Sequence, residues 1–132
     1  MTAKKRILLI DDDQDFLFAT KLILESSGYD VFLASDGKTG VEMWKSVGPD
    51  LAIIDMMMET WGEGFSVLSK IRATETGKEA PLFMLSAVDL QGPYQSFEPP
   101  PEFPRVNAVL HKPVKAEDLL RYIAAELGQK GT

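Results

Sequence analysis

The stretch Leu51-Ala52-Ile53-Ile54-Asp55 decides the fold, because it is an apolar run that ends directly in a carboxylate. The run is partly β-branched, and the turn-forming sequence Gly48-Pro49-Asp50 stands immediately before it. An apolar run of this length that follows turn residues is typical of a strand buried on both faces of a parallel sheet. The stretch therefore predicts an α/β domain in which Asp55 ends a buried strand.

Three other apolar runs also end in polar residues. Residues 7–10 are followed by Asp11-Asp12-Asp13, residues 81–85 by Ser86, and residues 106–110 by His111 and Lys112. The carboxyl ends of parallel strands lie at one edge of a sheet, where open α/β sheets bind their ligands. We therefore expect acids, the Ser86 hydroxyl and the Lys112 ammonium to converge on one crevice.

The length and composition of the chain exclude several classes of partner and site. With 132 residues, 45% of them hydrophobic, we expect a single domain over residues 1–132 with its core at about 5–128. The net charge of −6 disfavours nucleic acid and anionic membranes as partners, because both reward a basic surface. The lack of Cys and the single His111 exclude disulfides and multi-histidine metal sites. No apolar stretch approaches the roughly 20 residues that cross a bilayer, and we expect a cytoplasmic protein.

Helical patterns separate the strands in the first half of the chain. Asp13 is expected to cap a helix that runs to about residue 27. Its predicted apolar face consists of Phe16, Ala19, Ile23 and Ser27. Residues 29–35 alternate as an edge strand does, and residues 38–47 form a second helix that presents Val41 and Trp44.

The second half continues the alternation with one exception. Phe65, Leu68 and Ile71 mark the core-facing stripe of a helix that ends near Gly77, and residues 115–127 form the last helix. Residues 91–104 contain five prolines, so the helix expected there is predicted to be irregular or broken. Strand and helix alternate about five times, which predicts a doubly wound parallel sheet with right-handed crossovers.

The converging groups suit phosphoryl chemistry. Asp11, Asp12 and Asp55 repel one another unless a cation lies among them, and Mg²⁺ suits carboxylates combined with waters and a phosphate. Lys112 and Ser86 can then contact phosphoryl oxygens. Asp55 becomes the nucleophile, since carboxylates form aspartyl phosphates.

The chain resembles the receiver domain of two-component response regulators in four sequence features that occur in the same order. They are the acidic pair Asp11-Asp12, Asp55 after its apolar strand, Ser86-Ala87, and Lys112-Pro113. The resemblance implies a flavodoxin-like fold with a five-stranded sheet of order 2-1-3-4-5 and a cis Lys112-Pro113 peptide bond. It also implies phosphorylation of Asp55 by the phosphohistidine of a histidine kinase or phosphotransfer protein.

The resemblance further implies a ligand set for Mg²⁺. The ion would be held by Asp12, Asp55 and the Met57 main-chain carbonyl, with Asp11 acting through water. The domain would not be an enzyme in the usual sense, because it catalyses only its own phosphorylation and dephosphorylation. It would signal to an unidentified downstream protein as a monomer or weak dimer.

Several residues depart from the family pattern. Glu59 stands where the family usually has Pro, and the loop at residues 56–64 is one residue longer than usual. Val109 replaces the aromatic residue whose burial reports phosphorylation. Met57 and Val88 are apolar at positions that flank the path of the hydrolytic water, which predicts slow loss of the phosphoryl group.

Three alternative functions remain. A phosphatase of the haloacid dehalogenase type has Asp-x-Asp after a strand, but Asp15 occupies the position where that family has Thr or Val. A flavodoxin shares the fold but needs a hydroxyl- and glycine-rich phosphate loop where this chain is acidic. The stronger alternative is a receiver-like interaction module that signals without phosphorylation, which the departures above would allow.

Overall fold

Five strands form the centre of the molecule, and the computed structural model describes residues 4–56, 58, 63–87 and 104–128. The strands are β1 (Arg6–Ile10), β2 (Asp30–Ala34), β3 (Leu51–Asp55), β4 (Leu82–Ala87) and β5 (Ala108–Lys112). All neighbouring pairs are parallel, in the order β2-β1-β3-β4-β5. The predicted sheet order and flavodoxin-like α/β fold are confirmed, and Asp55 ends the central strand.

Four helices cover the sheet in the described ranges. They are α1 (Gln14–Ser26), α2 (Gly37–Val47), α3 (Glu63–Arg72) and α4 (Ala116–Leu127). The carboxylates of Asp13 and Asp36 cap the first two helices by accepting hydrogen bonds from the backbone N–H groups of Phe16 and Thr39. Gly48 and Gly128 end α2 and α4 in the left-handed conformation that glycine adopts without strain.

Two apolar layers lie on opposite faces of the sheet. On one face, Leu8, Ile10 and Ile54 pack with residues of α2 and α3 such as Trp44 and Leu68. On the other face, alternate residues of the same strands pack with residues of α1 and α4; these include Ile7, Leu9, Ile53, Leu17 and Ile123. Successive side chains of a strand point to opposite faces, so a strand buried on both faces must be apolar throughout. This explains why residues 51–54 form a continuous apolar run.

The predicted apolar face of α1 is wrong. The buried residues are Leu17, Thr20 and Leu24, whereas Ala19 is exposed and Ser27 lies beyond the helix as its C-cap. Phe16 and Ile23 are half-buried and flank the stripe that faces the sheet. The helix is therefore rotated by about one residue from the prediction, because Leu17 and Leu24 fill the space above the strands.

The predicted end of α3 is also wrong, because the helix ends at Arg72 rather than near Gly77. The Thr74 hydroxyl donates to the Ile71 carbonyl at 2.6 Å and accepts from the Gly77 N–H at 3.0 Å, which closes a turn. Phe65, predicted to lie in the core, is 38% exposed. Leu68 and Ile71 are buried as predicted.

Some predictions concern residues outside the described ranges. These residues are Met57, Glu59, Val88 and residues 91–103 of the Pro-rich segment. The irregular helix expected between β4 and β5 belongs to this group. Among the residues that are described, no helix is both long and apolar enough to cross a membrane.

Candidate functional site

The carboxyl edge of the sheet gathers the polar side chains that the sequence predicted there. Asp11 follows β1 directly, and its backbone N–H donates to the carbonyl of Ala34 at the end of β2 at 3.0 Å. Asp55 ends β3 and Lys112 ends β5, while Ser86 is the next-to-last residue of β4. Asp11, Asp55 and Ser86 are buried, although the strands around them are apolar. Such burial of polar groups is unusual without partners or a ligand.

Three carboxylates form the acidic cluster of the site, namely Asp11, Asp12 and Asp55. One oxygen from each lies within 4.8 Å of the others. Asp11 and Asp55 are buried and Asp12 is exposed, so the cluster opens to solvent on the Asp12 side. The Asp11 Oδ1 atom accepts a hydrogen bond from the Asp13 backbone N–H at 2.9 Å, which fixes the first turn after β1. The cluster concentrates negative charge at the mouth of the crevice.

Lys112 provides a positive charge inside this cluster. Its Nζ atom lies 2.6 Å from Asp11 Oδ2 and 3.6 Å from Asp55 Oδ2. Burial by itself lowers the pKa of the Lys112 ammonium, but the hydrogen bond to Asp11 and the charges of Asp11, Asp55 and Asp13 raise the pKa above its usual value. Lys112 therefore stays charged, and the three carboxylates of the cluster outnumber this one ammonium, which contacts Asp11 and Asp55.

The carboxyl ends of β4 and β5 form the rest of this edge. The Lys112-Pro113 bond is cis, as the resemblance implies. Ser86 pairs in register with His111 and Ala87 with Lys112, so the serine and the lysine lie on adjacent strands. His111 is exposed. Met57, the predicted source of a main-chain ligand, lies outside the described residues.

Gly64, which was not predicted from the sequence, supports Asp55, and its neighbour Glu63 links two helices. The Gly64 backbone N–H donates to the Met56 carbonyl at 3.3 Å. A Cβ atom at Gly64 would lie 2.5 Å from the Asp55 carbonyl oxygen and 2.6 Å from Met56 Cα, so any larger residue would force the backbone there to shift. Glu63 Oε1 accepts a hydrogen bond from the Gly37 N–H at 3.1 Å and links the start of α3 to the start of α2. A glycine at the start of a helix that follows a strand-end acid was the available signal.

Phe16 is a further residue that the sequence did not connect with the site. It lies in the first turn of α1, and the Lys112 Nζ atom is 4.5 Å from the centre of its ring. The sequence predicted Phe16 only as part of an apolar helix face. No sequence pattern pairs it with a lysine 96 positions away.

Comparison with known proteins identifies the family. Residues 7–124 match the family model described as the response regulator receiver domain. The chain belongs to this family. Among curated relatives, the DNA-binding dual master transcriptional regulator RpaA of Synechocystis is 33% identical over 123 residues, which cover 92% of this chain and 48% of RpaA. The alkaline phosphatase synthesis transcriptional regulatory protein PhoP of Bacillus subtilis is 34% identical over 85 residues, 64% of this chain and 34% of PhoP. This receiver domain spans less than half the length of these relatives.

Solved structures agree with the family. A CheY-like response regulator receiver domain from Methanospirillum hungatei has a TM-score of 0.79 and 27% identity, and the match covers 96% of this chain and 95% of that one. The receiver domain of a sensor histidine kinase from Pseudomonas aeruginosa, solved with magnesium coordinated in its active-site cleft, has a TM-score of 0.80 and 29% identity. That match covers 96% of this chain and all of the other (100%).

The acidic cluster of this receiver domain has a donor set that fits a hard divalent cation. Carboxylate oxygens from three residues lie within 4.8 Å of one another, close enough for several of them to reach one ion or its bound waters. Their charge exceeds what Lys112 alone neutralises. The exposed side of Asp12 leaves room for waters and for an incoming group.

Proposed function

We propose that this receiver domain accepts a phosphoryl group on Asp55 from the phosphohistidine of a sensor histidine kinase or phosphotransfer protein, with Mg²⁺ at the acidic cluster. The observation that carries the proposal is the position of Asp55. It is a buried carboxylate at the end of the central strand, within reach of two further acids and 3.6 Å from the Lys112 ammonium. Nucleophile, counter-charge and metal ligands are therefore adjacent.

The proposed ligands of Mg²⁺ are Asp12, Asp55 and the Met57 main-chain carbonyl, with Asp11 acting through water. The Met57 ligand rests on the resemblance to the family alone. When bound, the ion neutralises charge on the phosphoryl oxygens and orients them for in-line transfer. The acidic cluster supports this assignment because oxygen ligands of this type suit Mg²⁺.

In the transfer step, an Oδ atom of Asp55 attacks the phosphorus opposite the donor nitrogen. An O–P bond forms, the N–P bond of the phosphohistidine breaks, and the electron pair leaves with the imidazole. The Ser86 hydroxyl donates to one phosphoryl oxygen and the Lys112 ammonium contacts another. Water later cleaves the acyl phosphate and restores Asp55. The domain thus acts only on its own phosphorylation state.

We expect Lys112 to change partners during this cycle. Its Nζ atom is closer to Asp11 than to Asp55, at 2.6 and 3.6 Å. A phosphoryl group on Asp55 adds negative charge on the Asp55 side. We expect the ammonium to move toward that side, which would make Lys112 the link between phosphorylation and the end of β5.

Intact-mass measurement tests the proposal. We expect incubation with Mg²⁺ and phosphoramidate, whose P–N bond mimics phosphohistidine, to add about 80 Da to the wild-type protein. The Asp55→Asn variant and the EDTA-treated wild type should gain nothing. Asp118→Asn, which removes a carboxylate in the first turn of α4, is the matched control and should gain the same mass as wild type. A gain in the Asp55→Asn variant would place the phosphoryl group elsewhere and contradict the proposal.

A second candidate function is supported by one residue. Val109 pairs in register with Met84 and packs against the core, at a position where the family pattern has an aromatic residue. Val109 lacks the aromatic ring whose burial reports phosphorylation in the family pattern. A receiver-like interaction module that signals without phosphorylation would fit this substitution. No mass gain in wild type with Mg²⁺ present would favour this second function.

A further inference from the structure

Lys112 has an aromatic neighbour that neither the family match nor the proposed chemistry explains. The Nζ atom of Lys112 is 4.5 Å from the centre of the Phe16 ring, and the same atom is 2.6 Å from Asp11 Oδ2. An ammonium within about 6 Å of an aromatic ring centre is attracted by the negative face of the ring. The lysine is therefore held by charge from the acids and by the ring from α1.

The local structure fixes the position of the ring. Phe16 is in the first turn of α1, and its backbone N–H donates to the capping carboxylate of Asp13 at 3.1 Å. The ring is half-buried and packs against the apolar layer that contains Leu17 and Leu119. Both the backbone and the ring of Phe16 are therefore held in place beside the lysine side chain. Lys112 is itself only 21% exposed.

We infer that Phe16 is a positioning residue for Lys112, which keeps the ammonium at the acidic cluster while it changes partner from Asp11 to a phosphoryl oxygen on Asp55. The effect on phosphoryl transfer rests on the proposed function, whereas the contact between ring and ammonium does not. A lysine has several rotatable bonds and a strongly hydrated head, so an unrestrained ammonium would spend time in solvent. The ring reduces the time that the ammonium spends in solvent, and it adds no charge to the cluster.

Two substitutions at Phe16 test the contribution of the ring. Phe16→Leu keeps an apolar side chain but removes the ring, and Phe16→Tyr keeps the ring. Phe18→Leu is the matched control, because it makes the same chemical change on the same helix at a side chain that is 63% exposed. If Phe16 acts through the ring, only Leu should be harmful. A space-filling role would also favour Tyr over Leu, because Tyr keeps the size and shape of the ring, so the NMR readout of the ring face distinguishes the two roles.

The first measurement is the NMR chemical shift of the Lys112 side-chain protons next to Nζ. We expect the ring current of Phe16 to shift them upfield in the wild type and in the Phe16→Tyr and Phe18→Leu variants. The shift should be lost in Phe16→Leu. An unshifted resonance in the wild type, or a shift that survives in Phe16→Leu, would overturn the inference. This measurement does not depend on phosphorylation.

The second measurement is the rate of phosphorylation by phosphoramidate with Mg²⁺, followed by intact mass. We expect Phe16→Leu to slow it by about 3- to 10-fold, the range that corresponds to one partly desolvated cation–π contact. Phe16→Tyr and Phe18→Leu should keep the wild-type rate. Equal slowing in Phe16→Leu and Phe16→Tyr, or no slowing in Phe16→Leu, would overturn the effect on transfer. If the wild type gains no phosphoryl group, the proposed function fails, and the NMR comparison alone decides whether Phe16 holds Lys112.

Discussion

The two edges of the sheet are built in opposite ways. At the carboxyl edge, the described residues place three carboxylates in one cluster and one ammonium, that of Lys112, against two of them, so the charges do not balance. At the amino edge, the Arg72 guanidinium donates to the carbonyls of Gly77, Ala80 and Arg105 at 2.9, 2.7 and 2.7 Å. One edge is arranged to stabilise the chain, whereas the other keeps an electrostatic conflict that a bound cation would relieve.

The network at the amino edge joins segments that are distant in sequence. Arg72 also donates to Asn107 Oδ1, and the same oxygen accepts from the Leu82 N–H at 3.0 Å, so α3, β4 and the approach to β5 meet at one point. Burial and the charge of Arg105 lower the pKa of Arg72, while Glu79 opposes this change. A guanidinium nevertheless remains protonated in proteins. Its planar set of donors can serve several carbonyls at once, which an ammonium cannot do.

The largest stability effect is expected at the amino edge. Arg72→Ala should lower the free energy of unfolding by about 2–4 kcal/mol, because several carbonyls lose a charged donor. Arg72→Lys should lower the free energy of unfolding only slightly less than Arg72→Ala does, because an ammonium cannot serve several carbonyls at once. Arg105→Ala is the control, since the Arg105 side chain is exposed and its 3.3 Å pair with Glu79 is at the surface. A loss below about 1 kcal/mol for Arg72→Ala in urea unfolding would contradict the role given to this network.

The next effect tests the support of the acidic cluster. Gly64→Ala places a methyl group 2.5 Å from the Asp55 carbonyl oxygen, so the backbone of Asp55 and Met56 must shift. We expect a stability loss of about 1–3 kcal/mol, as for other overpacked sites. Phosphorylation measured on the folded variant should slow by about tenfold or more, because in-line transfer depends on the position of Asp55. Wild-type rates in a destabilised Gly64→Ala protein would show that this glycine serves packing alone.

The smallest effect concerns Asp36, the carboxylate that caps α2 at the carboxyl edge. Hydrogen bonding from Thr39 lowers the pKa of Asp36, the cap of α2, below its usual value of 3.8. A folded-state pKa below the unfolded one means that the stabilisation is complete above the unfolded pKa and is lost as the pH falls through the folded pKa. Asp36→Asn keeps a capping oxygen without titration. Thermal unfolding below pH 4 should therefore depend less on pH in this variant, and an unchanged pH dependence would contradict this account of the cap.

Most of the carboxyl edge was predictable from the sequence. Asp11, Asp55, Ser86 and Lys112 follow apolar runs, and the geometry of a parallel sheet brings such strand ends together whatever the helices do. Arg72 was not predictable, because its partners are backbone carbonyls of loops, which leave no residue signature. Phe16 was not predictable either, since the contact depends on the rotation of α1. That rotation was predicted wrongly, because Phe16 and Ala19 match a helical period as well as Leu17 and Leu24 do.

A magnesium titration tests the comparison between the two edges most directly. At matched ionic strength, Mg²⁺ at ten times its dissociation constant should add about 1.4 kcal/mol to the wild-type stability and raise the melting temperature by several degrees. Asp12→Asn should be slightly more stable without Mg²⁺, because repulsion falls, and should respond weakly to the ion. Arg72→Lys should keep the wild-type response on a lower baseline. A wild type that does not respond, or an Asp12→Asn variant that responds equally, would contradict the claim that the carboxyl edge is a cation site.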